Sequence, residues 1–350
     1  MTPRIALVAD FHPERLGASW ERGLLAQGVD VFPFDVRHAQ QALGLVLKNR
    51  VTRRITSQAY SIRRWAAQRY NRAIVDFVRG VRAPIVVFHN GDLVFPETVE
   101  ELKGAGVRCA LFHADNPLPP FANRPETLPL AQRMDDYFVW SERLVVALRG
   151  HGVAGAAFLP FAWDDQVFPY APPPADPWPG VLFVGGWDRE REELLDELAA
   201  AVPLKIYGPS YWGERTRAKS RARQAWTGSE LRGAPAATMI RESAISLNIL
   251  RNQHVIEGVP DGLIMRHFEV PGAGGFLLST RGGGATRLFP EGESAAYFSD
   301  VGECIAQIRD YLAQPEKRRQ MIARAHESIR AAHTYTHRMA ELLVSWKNVI

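Results

Sequence analysis

The sequence predicts two α/β domains, the first built on a parallel sheet, and three observations lead there. Short apolar runs alternate with helical patterns through the first half of the chain, a proline-rich stretch interrupts it at residues 169–180, and a second alternating series follows. At 350 residues, 46% hydrophobic and 23% charged, the chain carries enough apolar surface for two ordinary cores.

The first series consists of the runs "RIALVAD", "VDVFPFD", "PIVVFHN", "VRCALFHAD", "DDYFVWSE" and "GAAFLPFAWD". Between the second and third, Tyr70, Ile74, Phe77, Val78 and Val81 recur at helical spacing, and Pro84 acts as a stop. Each strand ends in polar or turn residues: Asp10 and His12, His89 and Asn90, His113 with Asp115 and Asn116, Trp140 and Ser141, Trp163 and Asp164. Open α/β sheets hold ligands outside the carboxyl ends of their strands, so these residues mark one rim as functional. His12, His89 and Asn90 are candidate site residues on that rim. The stretch "PYAPPPADPWPG" reads as a stiff linker. It separates a domain of residues 1–168 from one of residues 181–333, and a C-terminal helix at 334–350 is expected to cross back to the first domain. In the second domain "GVLFVGG", "PLKIYGP", "ISLNIL" and "GFLLST" are strands, with helices between them and at the end.

Composition narrows the function classes. No apolar run approaches the roughly 20 residues needed to cross a bilayer, and the N-terminus enters a strand pattern at once, which predicts a cytoplasmic protein. Cys109 and Cys304 lie far apart in apolar patterns and read as core residues, not as a disulfide or thiolate site. Residues 46–82 hold ten basic side chains against one acid, Asp76. Residues 48–82 are therefore a candidate contact with an anionic membrane or acceptor, the alternative being a solvated helix face; no nucleic-acid-binding signature accompanies them.

Two motifs carry chemistry. In "LFVGGWDRE" a strand runs into Gly185 and Gly186 and then a helix, which turns backbone N–H groups and a positive helix end toward an anion; the alternative is a tight turn without a ligand. The dinucleotide fingerprint with three spaced glycines is absent. In "PDGLIMRHFEVPGAGGFLLST" Asp261 and Glu269 stand eight positions apart on a segment that reads as helix. At about 100° per residue, Glu269 returns to within roughly 80° of Asp261, two turns along. A carboxylate accepts two hydrogen bonds at once, which suits the paired hydroxyls of a sugar. Arg266, three residues before Glu269, either pairs with it or reaches a phosphate.

The stretch "DGLIMRHFEVPGAGGFLL" resembles the glycosyltransferases with the E-x7-E motif. The order of "VLFVGG", "IYGPSYW", "SLNIL", "RHFEVPGAGGFLL" and "HTYTHR" over about residues 135–340 resembles the CgeB/YkvP-type glycosyltransferase proteins. The resemblance implies the GT-B fold: two Rossmann-like domains facing across a cleft that forms the active site, with C-terminal helices closing the structure. It also implies a metal-independent, hexosyltransferase-like enzyme with no cofactor. The donor would be a UDP-, GDP- or dTDP-sugar, the acceptor a hydroxyl on a glycan, lipid or protein, and the setting bacterial surface glycan synthesis or protein glycosylation.

By position, Glu269 would hold the ribose and Asp261 the sugar hydroxyls, with Arg251 and Arg266 on the diphosphate. Tyr207 and Gly208 would lie by the base, and Gly274 and Gly275 would admit close approach of the backbone. Gly185, Gly186, Trp187, Asn248 and Gly262 complete the donor set. His113 would approach the donor sugar, with His12, His89 and Asn90 on the acceptor side. Asp115 would be the general base if the reaction inverts, whereas in a retaining reaction the leaving diphosphate oxygen would take the acceptor proton and no base is needed. The sequence departs from the E-x7-E group in having Asp261 for the first glutamate and in lacking an Arg-x4-Lys pair after the first strand. Two other readings share these features: a nucleotide-sugar epimerase of the same fold, and a non-catalytic protein that binds sugar nucleotides or glycans.

Overall fold

In the computed structural model, which describes residues 2–43, 60–122, 124–347 and 349, every apolar run of the first series forms a strand. These are β1 (Arg4–Ala9), β2 (Asp30–Asp35), β3 (Ile85–His89), β4 (Arg108–Phe112), β5 (Asp136–Val139) and β6 (Ala156–Phe158). All pair in parallel, in the order β2-β1-β3-β4-β5-β6. The near-continuous apolar makeup of β1, β3 and β4 follows from helices covering both faces, which leaves them buried along almost their whole length. The helix Tyr60–Val81 ends three residues before Pro84. Lys48, Arg50, Arg53 and Arg54 of the basic segment lie outside the described residues, as do the side chains of Arg63 and Arg64.

The second series gives β7 (Trp178–Val184), β8 (Leu204–Tyr207) and β9 (Ser243–Asn248), then a short hairpin of β10 (Val255–Ile256) and β11 (Val259–Pro260), then β12 (Leu277–Thr280) and β13 (Ala296–Phe298). Its parallel sheet runs β13-β12-β9-β7-β8. Val181, Phe183, Ile206, Trp212, Ile245, Phe276 and Leu278 form the centre of its core, and Cys304 is buried among them. Cys109 is likewise buried in the first sheet; burial pushes both thiols up to about 12.

The chain divides into two units, one of Met1–Leu159 with Tyr335–Ile350 and one of Pro160–Thr334. The division falls before the proline-rich stretch, which lies wholly in the second unit. Trp163 and Asp164, read from sequence as the end of a first-domain strand, also belong to the second unit. β6 stops at Phe158, and Trp163 bonds to His333 O through its backbone and to Phe168 O through its indole, both 2.8 Å. The helix Tyr335–Ser345 packs on Leu16–Ala26 within the first unit. A side chain at Gly23 would stand 2.7 Å from Tyr335 O, so the glycine sets how closely these two helices approach. Trp346, fully buried, packs its ring on Phe138 and donates to Asp136 Oδ2 at 2.9 Å.

Candidate functional site

In each unit the first strand has neighbours on both sides, β1 between β2 and β3, and β7 between β8 and β9. The chain leaves that strand to opposite sides, which opens a crevice at the carboxyl edge of the sheet where ligands of such folds sit.

In the second unit Gly185 and Gly186 follow β7. The carbonyl of Gly185 accepts from Trp212 Nε1 at 2.9 Å and that of Gly208, after β8, from Trp226 Nε1 at 3.1 Å. A side chain at Gly208 would stand 2.4 Å from Gly185 O, so only glycine lets the two loops meet. Tyr207 O accepts from Gly185 N at 3.0 Å. The helix Arg189–Ala201 begins directly after, capped by Asp188, whose Oδ1 accepts from Arg191 N at 2.9 Å. Trp187 is held by Glu192 at 2.8 Å, and Arg215 lies over its ring.

Three guanidinium groups gather at this turn. Arg191 is buried; it donates to Gly186 O at 3.1 Å and to Ile249 O, so one side chain spans the loops that follow β7 and β9. Among the described residues its Nε has no hydrogen-bond partner, and burial, with Arg251 and Arg266 near, lowers its pKa to about 10. Arg251 donates to Asp188 Oδ2 at 3.1 Å and reaches Trp187 O. Arg266 donates to Val184 O at 3.3 Å and pairs with Glu269. Burial raises the pKa of the Glu269 carboxyl, and Arg266 opposes that shift.

Asp261 stands at the same edge but not on the helix. The helix is Met265–Ala273, and the chain reaches it through Gly262 at φ 105°, outside the right-handed region, so the expected helical relation between Asp261 and Glu269 does not hold. Asp261 instead accepts from Gly284 N at 3.1 Å, after β12, and its own N–H donates to His254 O at 2.9 Å. Asn248 is turned inward, donating to Ser279 Oγ at 3.0 Å. His267 is buried beside it. Ile264 N–H donates to Nδ1, so the ring proton is on Nε2 and goes to Ser279 Oγ at 3.1 Å; burial lowers its pKa to about 4. His254, whose Nδ1 accepts from Arg251 N at 3.0 Å, is lowered to about 3 by burial and the nearby arginines. Gly274 and Gly275 lie at the far, amino edge of the sheet. Gly274 ends the helix at φ 92° against Ala171 O, and Gly275 packs on Ile240, so neither adjoins the glycine turn.

In the first unit the crevice has different lining. After β1, Asp10 accepts from His12 N at 3.0 Å, and His12 is exposed. After β3, His89 packs edge-on to Trp20 with 4.7 Å between centroids, and burial lowers its pKa to about 3. Asn90, at φ 57°, accepts from Ala114 N at 2.8 Å and so shapes the turn after β4. There His113 is buried and stacks on Tyr137. Its Nδ1 is 2.8 Å from Asp115 O; a carbonyl only accepts, so the proton is on Nδ1 and Nε2 carries the lone pair. Burial holds this imidazole below its ordinary pKa, hence neutral at pH 7.

Sequence reasoning missed Arg191 and Asp188, which it absorbed into a helical pattern. The available signal was an Asp three residues before an Arg directly after a Gly-Gly strand end, the spacing of an N-cap and the N-terminal turn that it caps.

Residues 189–344 match the family model described as glycosyl transferase-like. No curated protein sequence matches. Sucrose-phosphate synthase from Thermosynechococcus elongatus superposes with a TM-score of 0.68 at 14% identity over 99% of each chain. HepE of Anabaena, in complex with UDP-glucose, gives 0.66 at 12% over 97% of this chain and 99% of that one. A glycosyltransferase from Rickettsia africae gives 0.64 at 10% over 99% and 98%. The fold is the GT-B fold, and within it residues 189–344, of the second unit and the helix that follows it, carry the glycosyl transferase-like match.

Proposed function

We propose that the protein transfers a sugar from a nucleoside-diphosphate sugar to a hydroxyl acceptor, with the donor held at the carboxyl edge of the second unit. The observation that carries this reading is the gathering of Arg191, Arg251 and Arg266 around the Gly185-Gly186 turn, with Asp261 and Glu269 at the same edge. When a glycosidic bond to a diphosphate breaks, negative charge grows on the leaving oxygen, and fixed cations in a partly dry site stabilise it. Glu269, buried and paired, is suited to accept from the ribose hydroxyls, and Asp261 from the sugar. On the first unit, neutral His113 offers a lone pair and Asp115 a carboxylate to an acceptor hydroxyl.

HepE with UDP-glucose supports a UDP-sugar as the first donor to try. The sequence likeness to CgeB/YkvP-type proteins supports a role in bacterial surface glycan or protein glycosylation inside the cell. The basic segment 48–82 is our candidate contact with an anionic membrane or acceptor. Among the described residues no helix is long and apolar enough to span a bilayer.

The test is calorimetry with UDP, GDP and dTDP. One of these is expected to bind, and Glu269→Ala to weaken it by about 1.5–3 kcal/mol, the range for a lost charged hydrogen bond. Equal binding by Glu269→Ala and wild type would remove Glu269 from the site; failure of all three nucleotides to bind would sink the reading.

A further inference from the structure

The arginine cluster contains a carboxylate of its own. Asp188 Oδ2 lies 3.1 Å from Arg251 Nε and 3.6 Å from Arg191 Nε, while Oδ1 caps the helix. Arg251 also borders the glycine turn, its Nη2 3.5 Å from where a side chain on Gly186 would begin. One carboxylate thus sits at the spot where two guanidinium groups converge, and among the described residues it leaves the buried Nε of Arg191 without a hydrogen bond.

Resting on the donor reading above, we infer that Asp188 is an internal stand-in for the diphosphate. It holds Arg251 in place and competes with the incoming anion for it. A dianionic ligand outbids the single carboxylate, because two guanidinium groups with two or more phosphate oxygens gain more than one monodentate pair. A neutral or singly charged ligand does not. Asp188 therefore lowers affinity for the nucleotide in general and sets the charge a ligand must carry to open the pair. It also lets the spent nucleoside diphosphate leave, since the carboxylate returns to Arg251 as the phosphates depart.

Asp188→Asn separates the two jobs of the side chain. Asparagine caps a helix about as well as aspartate but carries no charge. The expected result is tighter binding of the nucleoside diphosphate, by roughly three- to tenfold, the scale of one partly exposed charge in such a site. Salt dependence should steepen, and the singly charged methyl ester of the nucleoside monophosphate should gain proportionally more. Arg251→Gln is measured beside it and is expected to weaken binding of the same nucleotide. If Arg251→Gln weakens binding while Asp188→Asn leaves it unchanged or weaker, the stand-in is wrong and the donor site survives. If Arg251→Gln has no effect, the donor reading itself fails. Asp188→Ser, which caps through a hydroxyl, gives the same answer should the asparagine variant fold poorly.

Discussion

The two units place their strands in the same order about the first strand, yet the residues that follow those strands differ in kind. In the first unit the carboxyl edge presents acids and imidazoles, with His89 and His113 held neutral by burial. In the second it presents glycine turns and three guanidinium groups, one of them buried deeply enough to lower its pKa to about 10. Topology therefore decides where a ligand sits, and the two or three residues beyond each strand decide which charge it carries. A crevice of neutral bases suits a hydroxyl that must lose a proton; a crevice of cations suits a group that arrives and leaves as an anion.

The comparison breaks most visibly at the first unit. Asp115→Asn is expected to cut turnover by about 10²–10⁴-fold, the usual worth of a general base, while nucleotide affinity stays as in the wild type. His113→Ala should act in the same direction. Steady-state rates beside calorimetry check the split; a normal rate for Asp115→Asn would exclude it as the base and favour retention, which the anomeric configuration of the product reports.

A second expected outcome concerns both units. His89, His254 and His267 are held at about 3 to 4, against about 6.5 in an unfolded chain. As pH falls below 6.5 the unfolded chain binds protons that the folded one refuses, so stability is present above that pH and is lost on the way down. The rate is about 1.4 kcal/mol per pH unit for each histidine. Denaturant titrations between pH 7 and pH 5 should show this loss, and His267→Gln should reduce it in the second unit alone. A flat profile would mean these rings are not buried neutral.

The smallest effect is the sharpest probe of the glycine turn. Trp212→Phe keeps the ring but removes the donor to Gly185 O, at an expected cost of about 1 kcal/mol in stability. Nucleotide affinity should drop modestly as the turn loosens. Unchanged affinity would show that the turn is shaped by Gly208 and Gly185 alone.

Apart from β10, β11 and β13, of two or three residues each, the strands and their order of appearance were legible in the sequence because apolar period and turn residues are local. So were the basic side chains Arg251 and Arg266, each next to a recognisable strand or helix. The errors share a cause. A helix was read back to Asp261 because "DGLIMRHF" has helical spacing, but Gly262 and the β10–β11 hairpin redirect the chain before Met265. Gly274 and Gly275 follow the motif in sequence, yet the helix between carries them to the opposite edge of the sheet. Arg191 was missed for a complementary reason: its cap by Asp188 is local, but the contact that ties it to the loop after β9, Ile249 O, is 58 residues away and no local period encodes it.

The return of the last helix to the first unit has a consequence for synthesis. Residues 335–350, with the fully buried Trp346, are translated after the whole of Pro160–Thr334. The second unit is contiguous and can complete its core as it emerges, whereas the first must wait, its Leu16–Ala26 helix bare along Gly23 and Asp136 lacking its indole partner. The unit that carries the glycine turns and the three guanidinium groups is thus finished first on the ribosome, and the unit of residues 1–159 is finished last.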